Sequence, residues 1–148
     1  MPILVFLLTL LIVPYWALMP LGLSEAVRGR AGLVLLFAFT GLGHFFKTDE
    51  MAQMLPPWTP VRTAVVYTSG VFELAAAVAL LVPSLARPTG WVLILFLIAI
   101  LPSNIYAAIE RIPFGGHEAG PAYLWVRVPV QMLLVGWVYW FAVRTSAT

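Results

Sequence analysis

Long apolar runs, separated by short polar or proline-containing turns, occupy most of this chain. Of its 148 residues, 62% are hydrophobic and 9% are charged, whereas soluble domains carry about 25% charged residues. A helix that crosses a lipid bilayer needs about 20 mostly apolar residues, and several of the runs approach that length. The chain therefore predicts an all-α fold, a polytopic membrane helical bundle that forms one transmembrane domain over residues 1–148.

Five membrane spans are predicted, with prolines and polar residues at their boundaries. The first apolar run lacks basic residues at its start, so we interpret it as a retained span rather than a signal peptide. Polar turns are expected over residues 24–30 and at Arg87 and Pro88. The segments KTDEMAQMLPPWTP and ERIPFGGHEAGP are expected to be loops, although the first could include a short interfacial helix. The predicted spans cover about residues 2–22, 31–47, 62–82, 89–109 and 122–143.

An odd number of spans places the two ends of the chain on opposite sides of the membrane. Basic residues near spans favour the cytoplasmic side, but here the two sides are nearly even. One side carries Arg28, Arg30, Arg87 and Arg144, and the other carries Lys47, Arg62 and Arg111. We interpret the charges as placing the N-terminus outside and the C-terminus in the cytoplasm, in the inner (cytoplasmic) membrane of a bacterium.

Several chemistries are not expected from the residue types present. The chain has no cysteine, which excludes thiolate chemistry and cysteine-ligated iron–sulfur centres. Its two histidines, His44 and His117, are too few to indicate a histidine-rich metal site. No phosphate-binding loop or dinucleotide fingerprint is present, and the basic residues are too scattered for a nucleic-acid surface. No metal is predicted, and the sequence names no cofactor.

Glu73 is the most informative polar residue, because it lies near the middle of the third predicted span. An ionised group at the bilayer centre costs about 2.5–3.5 kcal/mol on insertion scales. Small residues, which permit close helix packing, dominate the helix face that it shares: Val66, Ser69, Gly70, Ala76, Ala77 and Leu80. Glu73 is therefore expected to point into the bundle. It is either a catalytic proton-transfer acid, a ligand anchor or the partner of a buried cation, or a structural carboxyl that sets helix register.

Arg127 and Gln131 are candidate ligand-binding residues on one face of the fifth predicted span. As a functional pair they would bind an anionic or carbonyl-bearing group, or Arg127 would clamp Glu73. As a structural residue, Arg127 would extend to the lipid headgroups, as arginines near helix ends often do. Pro129, between them, opens the helix and favours a packed polar site.

Asn104 and His44 complete the set of candidate ligand-binding residues. Asn104 lies near the end of the fourth span, where Pro102 frees a backbone carbonyl around residue 98. Its amide could donate into a shared cavity, or it could only satisfy nearby backbone groups. His44 lies at the end of the second span, and a lone histidine at such a position is more often structural or solvated than functional.

These candidates converge on one half of the bilayer. His44, Asn104 and Arg127 map to ends of spans that lie on the same side, with Glu73 just below them. Chance clustering is the alternative, because helix ends are polar in any membrane protein. An intramembrane polar constellation nevertheless favours function, and the sequence predicts an outward-facing polar cavity between spans two to five.

Five motifs, taken in order, carry a family resemblance: GRAGLVLLFAFTGLGHFF, PPWTP, YTSGVFELAAAVALLVP, LPSNIYAAIE and RVPVQ. With this order and spacing, the stretch from about residue 29 to residue 143 resembles the DoxX-like membrane proteins. The resemblance implies a four-helix membrane core, to which the first span would be an added helix. It also implies that Glu73, Asn104, Arg127 and Gln131 are signature positions. Relatives are linked to thiosulfate:quinone oxidoreduction, to membrane redox-stress complexes and, in animals, to receptor assembly. The absence of cysteine argues against direct thiol redox chemistry here.

Three function classes follow, in order of preference. The first is a membrane protein that binds a small lipid-like or quinone-like molecule in the cavity. The second is a membrane oxidoreductase or isomerase, or a subunit of one, in which Glu73 transfers a proton. The third is an assembly or accessory factor whose polar cluster is purely structural. The partners expected are membrane lipids, a quinone or lipid-like ligand, another membrane protein or a second copy of the chain, and not nucleic acid.

Overall fold

The fold is all-helical over residues 2–144, the part of the chain that the computed structural model describes. No strand forms within this part. Five helical stretches are long and apolar enough to cross a membrane: Pro2–Leu21, Glu25–Phe46, Arg62–Leu80, Pro83–Ile109 and His117–Arg144. By length and composition, these stretches confirm the prediction of a multi-pass helical membrane bundle with five spans.

Six α-helices build the bundle, and shorter helical turns connect or extend them. A 3₁₀ turn at Met19–Leu21 follows the first helix, a 3₁₀ segment at His117–Tyr123 precedes the last, and a π-helical turn at Tyr139–Arg144 extends it. The α-helices are α1 (Pro2–Ala17), α2 (Glu25–Phe46), α3 (Thr48–Gln53), α4 (Arg62–Leu80), α5 (Pro83–Ile109) and α6 (Leu124–Val138).

The second span begins before its apolar run, because its N-terminus is capped. The Ser24 hydroxyl oxygen accepts a hydrogen bond from the backbone nitrogen of Val27 at 3.4 Å, and Glu25 occupies the first turn. A serine cap and an acidic residue at this position both stabilise the start of a helix. The polar turn predicted over residues 24–30 is therefore wrong, since residues 25–30 are helical.

The fourth span also begins earlier than predicted, at Pro83 rather than at residue 89. Proline is favoured at the start of a helix, where its missing N–H has no helical partner to lose. Arg87 and Pro88, predicted to form a turn, lie inside α5. That prediction is wrong because a proline removes one helical hydrogen bond and bends a helix without always ending it.

Two segments that were expected to be loops contain helical structure. Thr48–Gln53 forms α3 before the first proline of its segment, which agrees with the alternative of a short helix there. His117–Tyr123 is a 3₁₀ segment, so the expectation of an irregular loop is wrong at these residues. Gly120 interrupts this segment with φ 76° and ψ −160°, a conformation that is essentially restricted to glycine.

The helix α2 is the centre of the bundle, where it packs on α4 and on α1. Glycines bring the central pair together, because a Cβ added at Gly41 would lie 3.1 Å from the backbone oxygen of Gly70. The α4 face that carries Glu73 is buried, as predicted, together with Ala76 and Ala77. Small residues therefore allow the close packing that places Glu73 inside the bundle.

The outer surface of the bundle is apolar, as a lipid environment requires. Phe46 and Trp125 are 80% and 85% exposed. Thr9 and Thr68, both exposed in the spans, are satisfied within their own helices, since each donates to the carbonyl oxygen four residues earlier. This internal satisfaction is what allows polar side chains in hydrocarbon, where water is absent.

Replacing Gly32 with alanine is expected to weaken the packing of α1 on α2. The added Cβ would collide with the backbone carbonyl of Leu11, and overpacking costs about 1–3 kcal/mol of unfolding free energy. Thermal unfolding in mild detergent, followed by circular dichroism, should show a lower Tm. The control is Gly136→Ala, which adds a Cβ with no atom within 4 Å and should keep or raise the Tm through helix propensity. An unchanged Tm for Gly32→Ala would contradict the close α1–α2 approach.

Candidate functional site

A cavity of about 630 Å³ lies inside the bundle, at the end where α2 finishes and α4 begins. Four of the five predicted site residues line it: Glu73, His44, Asn104 and Arg127. Glu118, from the segment before α6 at the same end of the bundle, lines it as well. The structure therefore brings side chains from four spans to one internal space.

The first helix forms part of the cavity wall, which the sequence reasoning did not anticipate. It contributes four lining residues: Pro2, Ile3, Leu4 and Leu7. On the same helix, Phe6 packs edge to face against Phe39 of α2, with ring centroids 4.9 Å apart. The predicted boundaries of the cavity, spans two to five, must therefore be extended to include span one.

Glu73 lies in the cavity wall with an unsatisfied carboxyl oxygen. The residue is 5% exposed, and no described residue forms a hydrogen bond with its Oε2 atom. The Nδ1 atom of His44 is 3.9 Å from this oxygen, which is beyond hydrogen-bond distance. Because a buried polar atom without a partner is costly, Glu73 is suited to bind a hydrogen-bonding group that enters the cavity.

His44 is oriented by its own helix. Its Nδ1 atom lies 2.8 Å from the carbonyl oxygen of Thr40, and since a carbonyl can only accept, Nδ1 carries the proton. The Nε2 atom has no partner among residues 2–144. His44 therefore retains one unoccupied ring nitrogen in a residue that lines the cavity.

Asn104 connects α5, α6 and the segment between them. Its Nδ2 atom donates to the carbonyl oxygen of Ile100 at 3.0 Å, and its Oδ1 atom accepts from Nε of Arg127 at 3.3 Å. The same oxygen lies 3.2 Å from Nε2 of His117. These contacts fix the orientation of the amide group, because exchanging its nitrogen and oxygen would place Oδ1 against the carbonyl oxygen of Ile100. Asn104 thus satisfies a backbone group, as one of its alternatives predicted, and also orders the cavity wall.

His117 is a cavity residue that the sequence reasoning missed. It is 3% exposed, with Nδ1 2.8 Å from the carbonyl oxygen of Phe114. Its ring packs on Tyr123 with centroids 4.8 Å apart, and the Tyr123 hydroxyl donates to the Gly115 carbonyl at 2.8 Å. The sequence signal that could have found it is a histidine in a glycine-rich segment directly before the span that contains Arg127.

Within residues 2–144, Arg127 forms a hydrogen bond through one of its three side-chain nitrogen atoms. Nε donates to Asn104, and no described carboxylate lies within 4.0 Å of the guanidinium. The predicted alternative in which Arg127 clamps Glu73 is therefore absent, although both residues line the same cavity. The two terminal amino groups of Arg127 have no hydrogen-bond partner among residues 2–144.

Gln131 is the predicted site residue that does not line this cavity. It is 4% exposed, and its Nε2 atom donates to the carbonyl oxygen of Leu97 at 2.7 Å. This bond joins α6 to α5 near Pro102, where the helix lacks one of its own donors. The geometry gives Gln131 a helix-joining contact rather than a position on the cavity wall.

The cavity presents two chemically different polar regions. One combines the unsatisfied carboxyl of Glu73 with His44, and the other combines the donors of Arg127 and His117 around Asn104. Separate polar groups in a largely apolar wall can orient an elongated amphiphilic molecule. Within residues 2–144, no group of three or more histidine, cysteine, aspartate or glutamate residues could hold a metal ion.

Fold and site together define a multi-pass helical membrane protein with a polar cavity between its spans. A family model described as "Domain of unknown function (DUF8561)" matches residues 33–142, and the chain belongs to this family. The matched region contains every site residue discussed above, whereas α1 lies before it. No curated protein and no solved structure matches the chain.

Replacing Gln131 with leucine should not change which molecules co-purify with the protein. Interhelical hydrogen bonds in membranes contribute about 0.6 kcal/mol on average, and the substitution also removes the unsatisfied Oε1 atom of Gln131. The Tm should therefore change by no more than about 4 °C. Asn104→Leu is the comparison, since it removes the acceptor of Arg127 and should alter bound molecules detected by mass spectrometry. Loss of a bound molecule from Gln131→Leu alone would place Gln131 in the site.

Proposed function

We propose that this protein binds a small lipid-like or quinone-like molecule in its intramembrane cavity. The observation that carries the proposal is the Glu73 carboxyl, which is 5% exposed and keeps an unsatisfied oxygen in the wall of a cavity of about 630 Å³. Buried polar groups without partners are rare in folded proteins, and a donor on a ligand would satisfy this one. Cavities of this size suit drug-sized ligands.

Two further features support the proposal. The outer faces of the spans are apolar, so the protein lies in the phase in which lipid-soluble molecules concentrate. The motifs that resemble DoxX-like proteins include the segments of Glu73, Asn104 and Arg127, and some of those relatives are linked to quinone chemistry. Both features favour a hydrophobic ligand with a small number of polar groups.

The first test is mass spectrometry of an organic extract from protein purified in mild detergent. Wild-type protein should carry a discrete molecule in near-stoichiometric amount, and Glu73→Gln should lose it. The matched control is Glu110→Gln, because Glu110 is an exposed carboxyl at the end of α5 and does not line the cavity. Bulk membrane lipids alone in all three samples would contradict the proposal. That result would favour the assembly or accessory factor, with a structural polar cluster and a protein partner.

Proton transfer is the second candidate function, and the proximity of Glu73 to His44 favours it. The Glu73 Oε2 and His44 Nδ1 atoms are 3.9 Å apart, so a small movement would let the carboxyl share the Nδ1 proton that now faces the Thr40 carbonyl. Such a pair could remove and return a proton on a bound molecule, which is an isomerisation and requires no oxidant. Recovery of one molecule in two isomeric forms, from wild type and not from Glu73→Gln, would favour catalysis over binding alone.

We also propose that the cavity end of the bundle faces the outside of a bacterial inner membrane. The opposite end carries Arg28, Arg30, Arg87 and Arg144, whereas the cavity end carries Lys47, Arg62 and Arg111. The small excess of basic residues at the opposite end favours the cytoplasm for that end. With five spans, the N-terminus then lies outside and the C-terminus inside.

Single cysteines can test this orientation, because the chain contains none. Gln53 at the cavity end and Ser84 at the opposite end are both exposed. In intact cells, a membrane-impermeant maleimide should label Gln53→Cys, and it should label Ser84→Cys only after the membrane is permeabilised. The reverse pattern would place the cavity end in the cytoplasm.

A further inference from the structure

We propose that the cavity selects amphiphiles with an anionic oxygen headgroup, a long-chain carboxylate being the simplest, and that Arg127 binds this headgroup. The inference rests on the proposed function, since it names the chemical class of the molecule in the same cavity. It starts from a cation in the cavity wall that has no anionic partner in the described protein.

Arg127 offers a free hydrogen-bonding edge to the cavity. Its Nε atom is occupied by Asn104 at 3.3 Å, while its terminal amino groups have no partner among residues 2–144. A guanidinium with this edge free can donate two parallel hydrogen bonds to the two oxygens of a carboxylate. Asn104 also restricts rotation of the side chain, so the edge is oriented before a ligand arrives.

His117 places a polar ring beside Asn104 and Arg127. Its Nδ1 faces the carbonyl oxygen of Phe114 at 2.8 Å, and its Nε2 faces the amide oxygen of Asn104 at 3.2 Å. Both partners are acceptors, and the orientation of Asn104 is fixed by Ile100 and Arg127. The Phe114 carbonyl therefore requires the proton on Nδ1, and the contact with Asn104 holds the ring beside Arg127.

The other charged groups in the cavity wall form no ion pair with Arg127. Lys47 is engaged by Glu50 at 2.8 Å, and this hydrogen bond lowers the pKa of Glu50. Glu118 is exposed and forms no ion pair within the described chain, and Glu73 forms none with Arg127. Arg127 thus lies in a half-buried position without a carboxylate of the described residues within 4.0 Å.

The position of Arg127 in its helix also favours a bound anion. It lies in the first turn of α6, where the helix dipole is positive and a cation is unfavourable. A carboxylate at this point would interact favourably both with the guanidinium and with the dipole. The placement gives no benefit to helix stability by itself.

The rest of the cavity accommodates a hydrocarbon chain. Apolar residues from four helices line it, among them Leu7, Phe39, Val66 and Phe96. Its volume of about 630 Å³ falls in the range of pockets for single drug-sized molecules. One chain with a compact headgroup therefore fits this space better than a lipid with two chains and a large headgroup.

The test compares a photoreactive long-chain fatty acid with the fatty alcohol of the same chain, using the full protein in lipid nanodiscs. Cross-linked peptides are located by mass spectrometry. The acid should label cavity-lining peptides of wild type, and Arg127→Gln should reduce that labelling by about tenfold or more. Labelling by the alcohol should be weaker and insensitive to the substitution. The control is Arg62→Gln, since Arg62 is exposed, lies at the same end and does not line the cavity.

Arg127→Lys separates loss of the headgroup contact from loss of the fold. Lysine keeps the charge without the planar pair of donors, so the preference for the acid should be partly retained. Equal labelling by acid and alcohol in wild type, with no effect of Arg127→Gln, would overturn the anion proposal and leave a neutral ligand in the cavity. Absence of cavity labelling by both probes, together with extracts that contain only bulk lipids, would overturn the proposed function as well.

Discussion

The requirement that polar groups find partners inside the protein organises this bundle, because hydrocarbon supplies none. Thr9, Thr40 and Thr68 in the spans donate to carbonyl oxygens of their own helices. The Trp137 indole donates to the carbonyl of Gly29 at 3.0 Å, and Gln131 donates to that of Leu97. Among the exceptions, Glu73 and Arg127 line the cavity, whereas Arg28 and Gln131, each with one unsatisfied atom, do not. The exceptions on the cavity wall are the positions where a ligand can supply the missing partner.

Prolines connect this requirement to the site. Pro102 removes a donor from the interior of α5, and side chains from α5 and α6 donate to carbonyls on either side of the affected turn: Asn104 to Ile100 and Gln131 to Leu97. The amide that satisfies Ile100 is also the acceptor for Arg127. The irregularity in α5 therefore lies beside the contacts that orient the cation in the cavity.

The number of spans and the inward direction of Glu73 could be predicted, since the first follows from apolar length and the second from small residues at helical spacing. The starts of α2 and α5 were misplaced because capping by Ser24 and the tolerance of Pro83 at a first helical position extend helices into polar sequence. His117 was missed because its role depends on Asn104, thirteen positions away. That contact exists only when the segment before α6 folds back onto α5.

Composition and hydropathy alone determined that this chain is a helical membrane protein and which polar residues would be expensive to bury. These properties are local, since each span must satisfy its own backbone and expose apolar side chains to lipid. Only the tertiary structure decided which polar groups meet. It placed Glu73 nearer to His44 than to Arg127 without bonding it to either, assigned Gln131 to a helix contact and made α1 a wall of the cavity. The physical reason is that helix rotation and side-chain direction, which set these contacts, depend on packing between spans rather than on the order of residues within one.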